Sequence, residues 1–136
     1  MRKSTDIRHG RHCVFALHAH LVFVTKYRRA VFDVAMLECL RGVFGGVCEK
    51  FGVQLVEVNG ELDHVHLLVN YAPQLSLSVL VNSLKGASSR VLRREIPRAR
   101  SLYCQRVLWS PSYFVASCGG APLLVLKQYI QNQQNP

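Results

Sequence analysis

Glu61-Leu62-Asp63-His64-Val65-His66-Leu67-Leu68-Val69 follows directly on Asn59-Gly60. An Asn-Gly pair between apolar runs is a hairpin signal, so the stretch reads as a strand leaving a turn at residues 59–60. Alternation then sends His64 and His66 to one face and Val65, Leu67 and Val69 to the other. Two neutral imidazoles about 7 Å apart along a strand can hold one divalent metal if a third ligand arrives from elsewhere. His-x-His alone is a weak signal, since satisfied or surface histidines are commoner.

Upstream, Val53 to Val58 reads as the partner strand. Asp33 is a plausible N-cap for a helix whose Leu37, Leu40, Phe44, Val47 and Phe51 recur at helical spacing and form core. Gly42, Gly45 and Gly46 weaken that helix and suggest close packing. Before it, Cys13 to Lys26 alternates, with Phe15, Leu17, Ala19, Leu21 and Phe23 on one face and His18, His20, Val22 and Val24 on the other. His18 and His20 are an alternative metal pair, ranked lower because no carboxylate flanks them, whereas Glu61 and Asp63 flank the pair on the later strand. The cluster Lys26-Tyr27-Arg28-Arg29 that follows can meet phosphates and stack on a base, or be only a solvated strand end.

Downstream of Pro73, residues 76–95 read as a helix that buries Leu77, Leu80, Val81, Leu84, Val91 and Leu92. Lys85, Ser89 and Arg93 share another face, and Ser78, Asn82, Lys85 and Ser89 make a polar stripe that fits a phosphate, a base or plain water. Arg90, Arg93, Arg94, Arg98 and Arg100 crowd a segment that repels itself unless an anion is near. Tyr113 to Cys118 reads as a final strand. The order is strand, helix, strand, strand, helix, strand. That is an α+β, ferredoxin-like or RNA-recognition-like antiparallel sheet with its first and third strands central and helices on one face, which puts His20 and His66 on neighbouring strands.

After Gly119-Gly120, Pro122 suits the first turn of a terminal helix over residues 121–134. Tyr129 and Gln133 are four residues apart and share a face of it. A phenol is a poor nucleophile at neutral pH, but beside a metal that polarises a phosphate it can attack phosphorus. Gln133 offers an amide oxygen to the same metal one turn away.

With 136 residues, 49% of them hydrophobic, the chain is expected to form one domain around one core. Its formal charge of +9 points to polyanionic partners. Five cysteines without a C-x-x-C pair read as reduced thiols, not a disulfide framework. Residues 1–11 read as a flexible basic arm without a signal-peptide pattern. The uncharged run from Val107 to Leu126 is broken by Pro111, Gly119, Gly120 and Pro122, so no membrane segment is expected and the location is read as cytoplasmic. No Walker-type loop is present.

Five blocks in order resemble the small single-tyrosine HUH transposases of bacterial insertion sequences, the TnpA or IS200-like type. They are His20-Leu21-Val22-Phe23-Val24-Thr25-Lys26-Tyr27-Arg28, Asp63-His64-Val65-His66-Leu67-Leu68, Leu84-Lys85-Gly86-Ala87-Ser88-Ser89, Leu108-Trp109-Ser110-Pro111-Ser112-Tyr113 and Lys127-Gln128-Tyr129-Ile130. The resemblance implies that His64 and His66 bind Mg²⁺ or Mn²⁺, that Gln133 matches the third ligand and Tyr129 the nucleophile. It also implies recognition of DNA hairpins, single-strand cleavage through a 5′-phosphotyrosine, and a homodimer. In that dimer the terminal helix can cross over on a hinge at Gly119 and Gly120, completing the site in trans. Lys26, Arg28, Arg29, Lys85, Ser89, Arg90, Arg93 and Arg94 are the candidates for gripping DNA. Two other readings stay open: a noncatalytic nucleic-acid-binding module of the RNA-recognition type, and a domesticated transposase acting on repeated chromosomal hairpins.

Overall fold

A computed structural model of the chain describes residues 7–103, 107–117 and 129–133. Two short strands, β1 (Arg8–His9) and β2 (Val14–Phe15), precede β3 (Leu17–Val24), α1 (Val34–Lys50), β4 (Gln54–Gly60), β5 (His64–Tyr71), α2 (Leu77–Glu95) and β6 (Phe114–Ser117). The last four strands named form one antiparallel sheet in the order β4-β5-β3-β6. The first and third strands of the βαββαβ pattern are therefore central, as the sequence pattern predicts.

Helices cover one face of the sheet; on the other, His18, Val22, Val24, His64, Leu68 and Asn70 are also buried, while His20 and His66 are partly exposed. Ala19, Leu21 and Phe23 of β3 and Val65, Leu67 and Val69 of β5 face the helices and are buried with Met36, Leu40 and Phe44 of α1 and Leu80, Val81, Leu84 and Leu92 of α2. On α1 the fully buried line is Met36, Leu40, Phe44 and Cys48, at every fourth position. Leu37, Val47 and Phe51 flank it, partly buried. Asp33 caps the helix by accepting from the Met36 N–H at 2.9 Å, and Ser76 caps α2 through the Val79 N–H. Close packing does not account for the α1 glycines: a Cβ at Gly42, Gly45 or Gly46 would meet nothing within 4 Å.

Three expectations change. Asn59 and Gly60 are not the turn but the end of β4, paired with His66 and Val65. The chain turns over Glu61 to Asp63, where the Glu61 N–H donates to the His64 carbonyl at 2.9 Å. Gly60 is tightly surrounded there: a Cβ would lie 2.6 Å from Leu37 Cδ2, which would have to shift, and 3.1 Å from Val65 Cγ1. The first strand is split, because β2 pairs with β1 and only residues from Leu17 onward join the main sheet. Within the arm expected over residues 1–11, Arg8 is anchored: its guanidinium donates to the carbonyls of Asn70 and Gly52, both at 3.0 Å, and lies 5.1 Å from the Phe15 ring centroid; residues 1–6 lie outside the described residues.

Among the described residues Cys48 is buried and Cys13 and Cys39 are partly so, all as free thiols. Burial pushes the Cys48 thiol up to about 11. No helix among the described residues is long and apolar enough to cross a membrane.

Candidate active site

Alternation along β5 turns His64 and His66 to the face of the sheet away from the helices, where His64 is buried, His66 is half-buried and their rings stand 4.9 Å apart. His64 is held by its neighbour: Nδ1 lies 2.7 Å from Asp63 Oδ1, while Arg28 Nε donates to Asp63 Oδ2 at 2.7 Å. A carboxylate accepts only, so the His64 Nδ1 carries a proton, and in the neutral ring Nε2 is the nitrogen with a free lone pair, the arrangement typical of metal-ligating histidines. Burial by itself raises the Asp63 carboxyl, but its hydrogen bonds to Arg28 and His64 outweigh that and hold it below the usual value. His66 is pushed down by burial, then by His64, with Glu61 opposing, so it is mostly neutral near pH 7.

Arg28 reaches Asp63 from a tight 3-10 turn, Lys26–Arg28, in which Tyr27 and Arg28 take left-handed φ of 57° and 55°. For residues with a Cβ this costs about 1–2 kcal/mol each. The Thr25 hydroxyl, which donates to the Arg29 carbonyl at 2.7 Å, and the Arg28 link to Asp63 hold the turn in that shape.

Among the described residues, no group of three His, Cys, Asp or Glu side chains gathers as a metal cage. Gln133, the third ligand expected from the sequence, carries an amide oxygen. Its Oε1 accepts from the hydroxyls of Ser110 at 2.5 Å and Ser112 at 3.2 Å. The Ser110 N–H donates to the Val24 carbonyl at 2.7 Å, and Val24 pairs with His64, so Ser110 stands two strand spacings, about 10 Å, from the His64 backbone. The Tyr129 hydroxyl lies 2.9 Å from Ser112 Oγ and its ring 5.5 Å from that of Phe114. Phe114, Val22 and His66 form one cross-strand row, which places Tyr129 on the histidines' face of the sheet. Burial pushes the Tyr129 phenol up, with the Ser112 bond opposing, so it is protonated at neutral pH.

Ser110 and Ser112 carry no periodic signal and no individual role in the sequence, and Phe114 is read there only as part of the final strand. His18, one of the alternative pair, is buried with Nε2 3.3 Å from the Asn70 amide, while His20 lines a cleft of 320 Å³ with His66, Glu57, Asn59 and Glu61. Gly119 and Gly120 lie outside the described residues, as does most of the helix expected over 121–134, of which residues 129–132 are helical.

The basic residues do not form one patch. Lys26 and Tyr27 line a cleft of 340 Å³ beside Gln133, and Arg29 is exposed next to them. Arg28 serves Asp63. Lys85 Nζ donates to the carbonyls of Ser110 at 2.6 Å and Ser112 at 3.2 Å, so it braces a loop, and the Ser89 carbonyl accepts from Tyr103 Oη at 3.0 Å. Arg90, Arg93 and Arg94 ride on α2, which packs on the other side of the sheet. There Arg93 lies over Tyr103 and Arg94 pairs with Glu95. The arginine crowd is relieved within the fold as well, by Arg98 bonded to Asp33 at 2.5 Å.

The family model described as "Transposase IS200 like" matches residues 13–133. The ISDra2 transposase TnpA of Deinococcus radiodurans is 28% identical over 130 residues, 96% of this chain and 93% of its own length. The transposase for insertion sequence element IS200 of Salmonella typhimurium is 30% identical over 114 residues, 84% of this chain and 74% of its own. A crystallised protein of Deinococcus radiodurans assigned as a transposase superposes with a TM-score of 0.84 at 31% identity, covering 95% of this chain and 99% of that one. A REP-associated tyrosine transposase bound to a REP hairpin shares the fold, with a TM-score of 0.56 at 10% identity over 90% of this chain and 67% of its own.

Proposed function

The chain belongs to the IS200-like transposase family, and from that premise we propose that it cleaves and rejoins single-stranded DNA at hairpin-bearing ends, with Tyr129 as nucleophile beside a divalent cation. His64 and His66 would hold the cation, with Gln133 as third ligand. Mg²⁺ or Mn²⁺ there would polarise the scissile phosphate.

The residues of the chain supply the rest. Arg28 fixes Asp63, and Asp63 fixes the tautomer and direction of His64. Tyr129 Oη, its proton gone to solvent, attacks phosphorus; the bond from phosphorus to O3′ breaks, and the departing oxygen takes up a proton as a 3′-OH. The product is a 5′-phosphotyrosine. A 3′-OH attacking that ester later reseals the strand and returns the phenol. One phosphodiester is exchanged for another, so no nucleotide hydrolysis is needed. Lys26, which lines a cleft with Gln133, and the exposed Arg29 would meet phosphates, and Tyr27 would stack on a base. A fold shared with a hairpin-bound tyrosine transposase supports the hairpin as substrate. The same reading makes the protein a homodimer. In support, the outer edge of β6 pairs with no strand among the described residues, an edge onto which a second copy can add.

The observation that carries this reading is the Arg28–Asp63–His64 relay set beside His66 on the face that also bears Tyr129. The test is incubation with single-stranded DNA from the gene's flanks and Mg²⁺, followed by a denaturing gel. A protein-linked strand is expected from the wild type and none from Tyr129→Phe, which keeps hairpin affinity because only a hydroxyl is removed. His64→Ala should abolish metal-dependent cleavage. An adduct that persists in Tyr129→Phe assigns the chemistry to another residue.

A further inference from the structure

Between Trp109, which bridges to Thr25, and Phe114, which pairs with Val22, the chain uses four residues where the facing strand uses two. The surplus is two residues: Ser110 still donates its N–H to the Val24 carbonyl at 2.7 Å, and after it the chain bows out as a small loop before Phe114. Such an excursion is ordinarily a loose edge, yet this one is nailed down from below. Lys85, reaching up from α2, puts its ammonium on the carbonyls of Ser110 and Ser112 at 2.6 and 3.2 Å. The neighbouring Ser88 anchors the same segment by accepting from the Trp109 indole N–H at 3.0 Å. Burial lowers the Lys85 ammonium to about 8, so it remains charged at neutral pH, and a charged donor on a carbonyl is stronger than a neutral one. Sinking a cation to fix two loop carbonyls is costly unless the position of that loop matters.

What the loop positions is the tail. Ser112 is exposed, but its hydroxyl touches both Tyr129 Oη at 2.9 Å and Gln133 Oε1 at 3.2 Å, beside Ser110 on the same oxygen at 2.5 Å. A serine hydroxyl has one hydrogen and two lone pairs. Each hydrogen is used once if Tyr129 donates to Ser112 and Ser112 donates to Gln133. When the phenol has lost its proton, the Ser112 hydrogen can turn onto the phenolate.

We infer that Ser112 is a second hydroxyl of the reaction centre, which aims the Tyr129 oxygen and hydrogen-bonds it once ionised, and that Lys85 is the positioning residue that keeps Ser112 there. This rests on Tyr129 being the nucleophile. Ser110 and Ser112 together fill both lone pairs of the Gln133 amide oxygen, so Gln133 must release one serine to reach a cation, and that release frees the Ser112 hydrogen for Tyr129.

The test is single-turnover adduct formation on flanking hairpin DNA with Mg²⁺, measured from pH 6 to 10, alongside hairpin affinity. Ser112→Ala is exposed enough not to disturb folding. It should slow the reaction about tenfold at pH 7, the loss of roughly one hydrogen bond, and shift the rise of rate with pH to the alkaline side. Ser112→Thr, which keeps the hydroxyl, should restore both. Lys85→Met should slow the step with DNA affinity unchanged. A wild-type rate and pH profile in Ser112→Ala, or a slower rate with the profile unmoved, overturns the inference. An adduct surviving in Tyr129→Phe overturns the functional reading instead, and no adduct from the wild type overturns both.

Discussion

Asp63 gives one oxygen to His64 and the other to Arg28, and each bond does a different job. The first sets which nitrogen of His64 is free; the second fixes the carboxylate and closes a turn strained by two left-handed residues. Asp63→Asn keeps the shape but loses the charge, and an amide nitrogen facing Arg28 or His64 repels it. Affinity for Mn²⁺, read by calorimetry, should fall about 10–100-fold, as for other partners that orient a ligating histidine. The same carboxyl makes a pH prediction. Its folded value is held below the unfolded one, near 3.9, so its contribution to stability is complete above that value and is lost as pH falls through the folded one. Urea titrations between pH 5 and 2 should show the wild type losing more stability than Asp63→Asn over that range. That Asp63 flanks the pair was legible in the sequence. That Arg28 is its partner was not, because the two are 35 positions apart and only folding brings them together.

The elements follow their sequence patterns wherever one face is buried and drift where the pattern is shared by two structures. Asn59-Gly60 carries the chemistry of a two-residue hairpin turn, yet it continues β4. The apolar positions of β4 and β5 fit the core only in the register where Gly60 meets Val65, and turn propensity yields to that packing. The glycines then separate by cause. Gly60 sits where a Cβ would press on Leu37 and, at 3.1 Å, on Val65, whereas Gly42 and Gly46 are exposed on α1 with open space around them. Gly60→Ala should destabilise by about 1 kcal/mol or more. Gly42→Ala and Gly46→Ala should each stabilise by about 0.5–1 kcal/mol. Chemical denaturation of the three variants checks both signs, and a destabilised Gly42→Ala would mean that the glycines serve something other than the helix.

At the scale of the molecule, the charge of +9 predicts strong attraction to DNA, but the fold decides which cations are available for it. For single-stranded DNA the slope of log affinity against log salt changes by about 0.7 for each phosphate contact removed. Lys26→Ala and Arg29→Ala should each flatten that slope by about this amount, while Lys85→Met should leave it unchanged, because its ammonium is committed to loop carbonyls. A flatter slope in Lys85→Met would return that residue to the DNA surface. By itself the sequence determined the order of strands and helices, the central pairing of the first and third strands, the facing of the histidine pair and the family, since these rest on local periodicity and contiguous motifs. Only the tertiary structure decided the Arg28–Asp63–His64 relay, the Ser110 and Ser112 seat under Tyr129 and Gln133, and the withdrawal of Lys85 from solvent. Those are contacts between distant segments, and their partners are chosen by where the sheet and its loops finish in space, on which no local pattern reports.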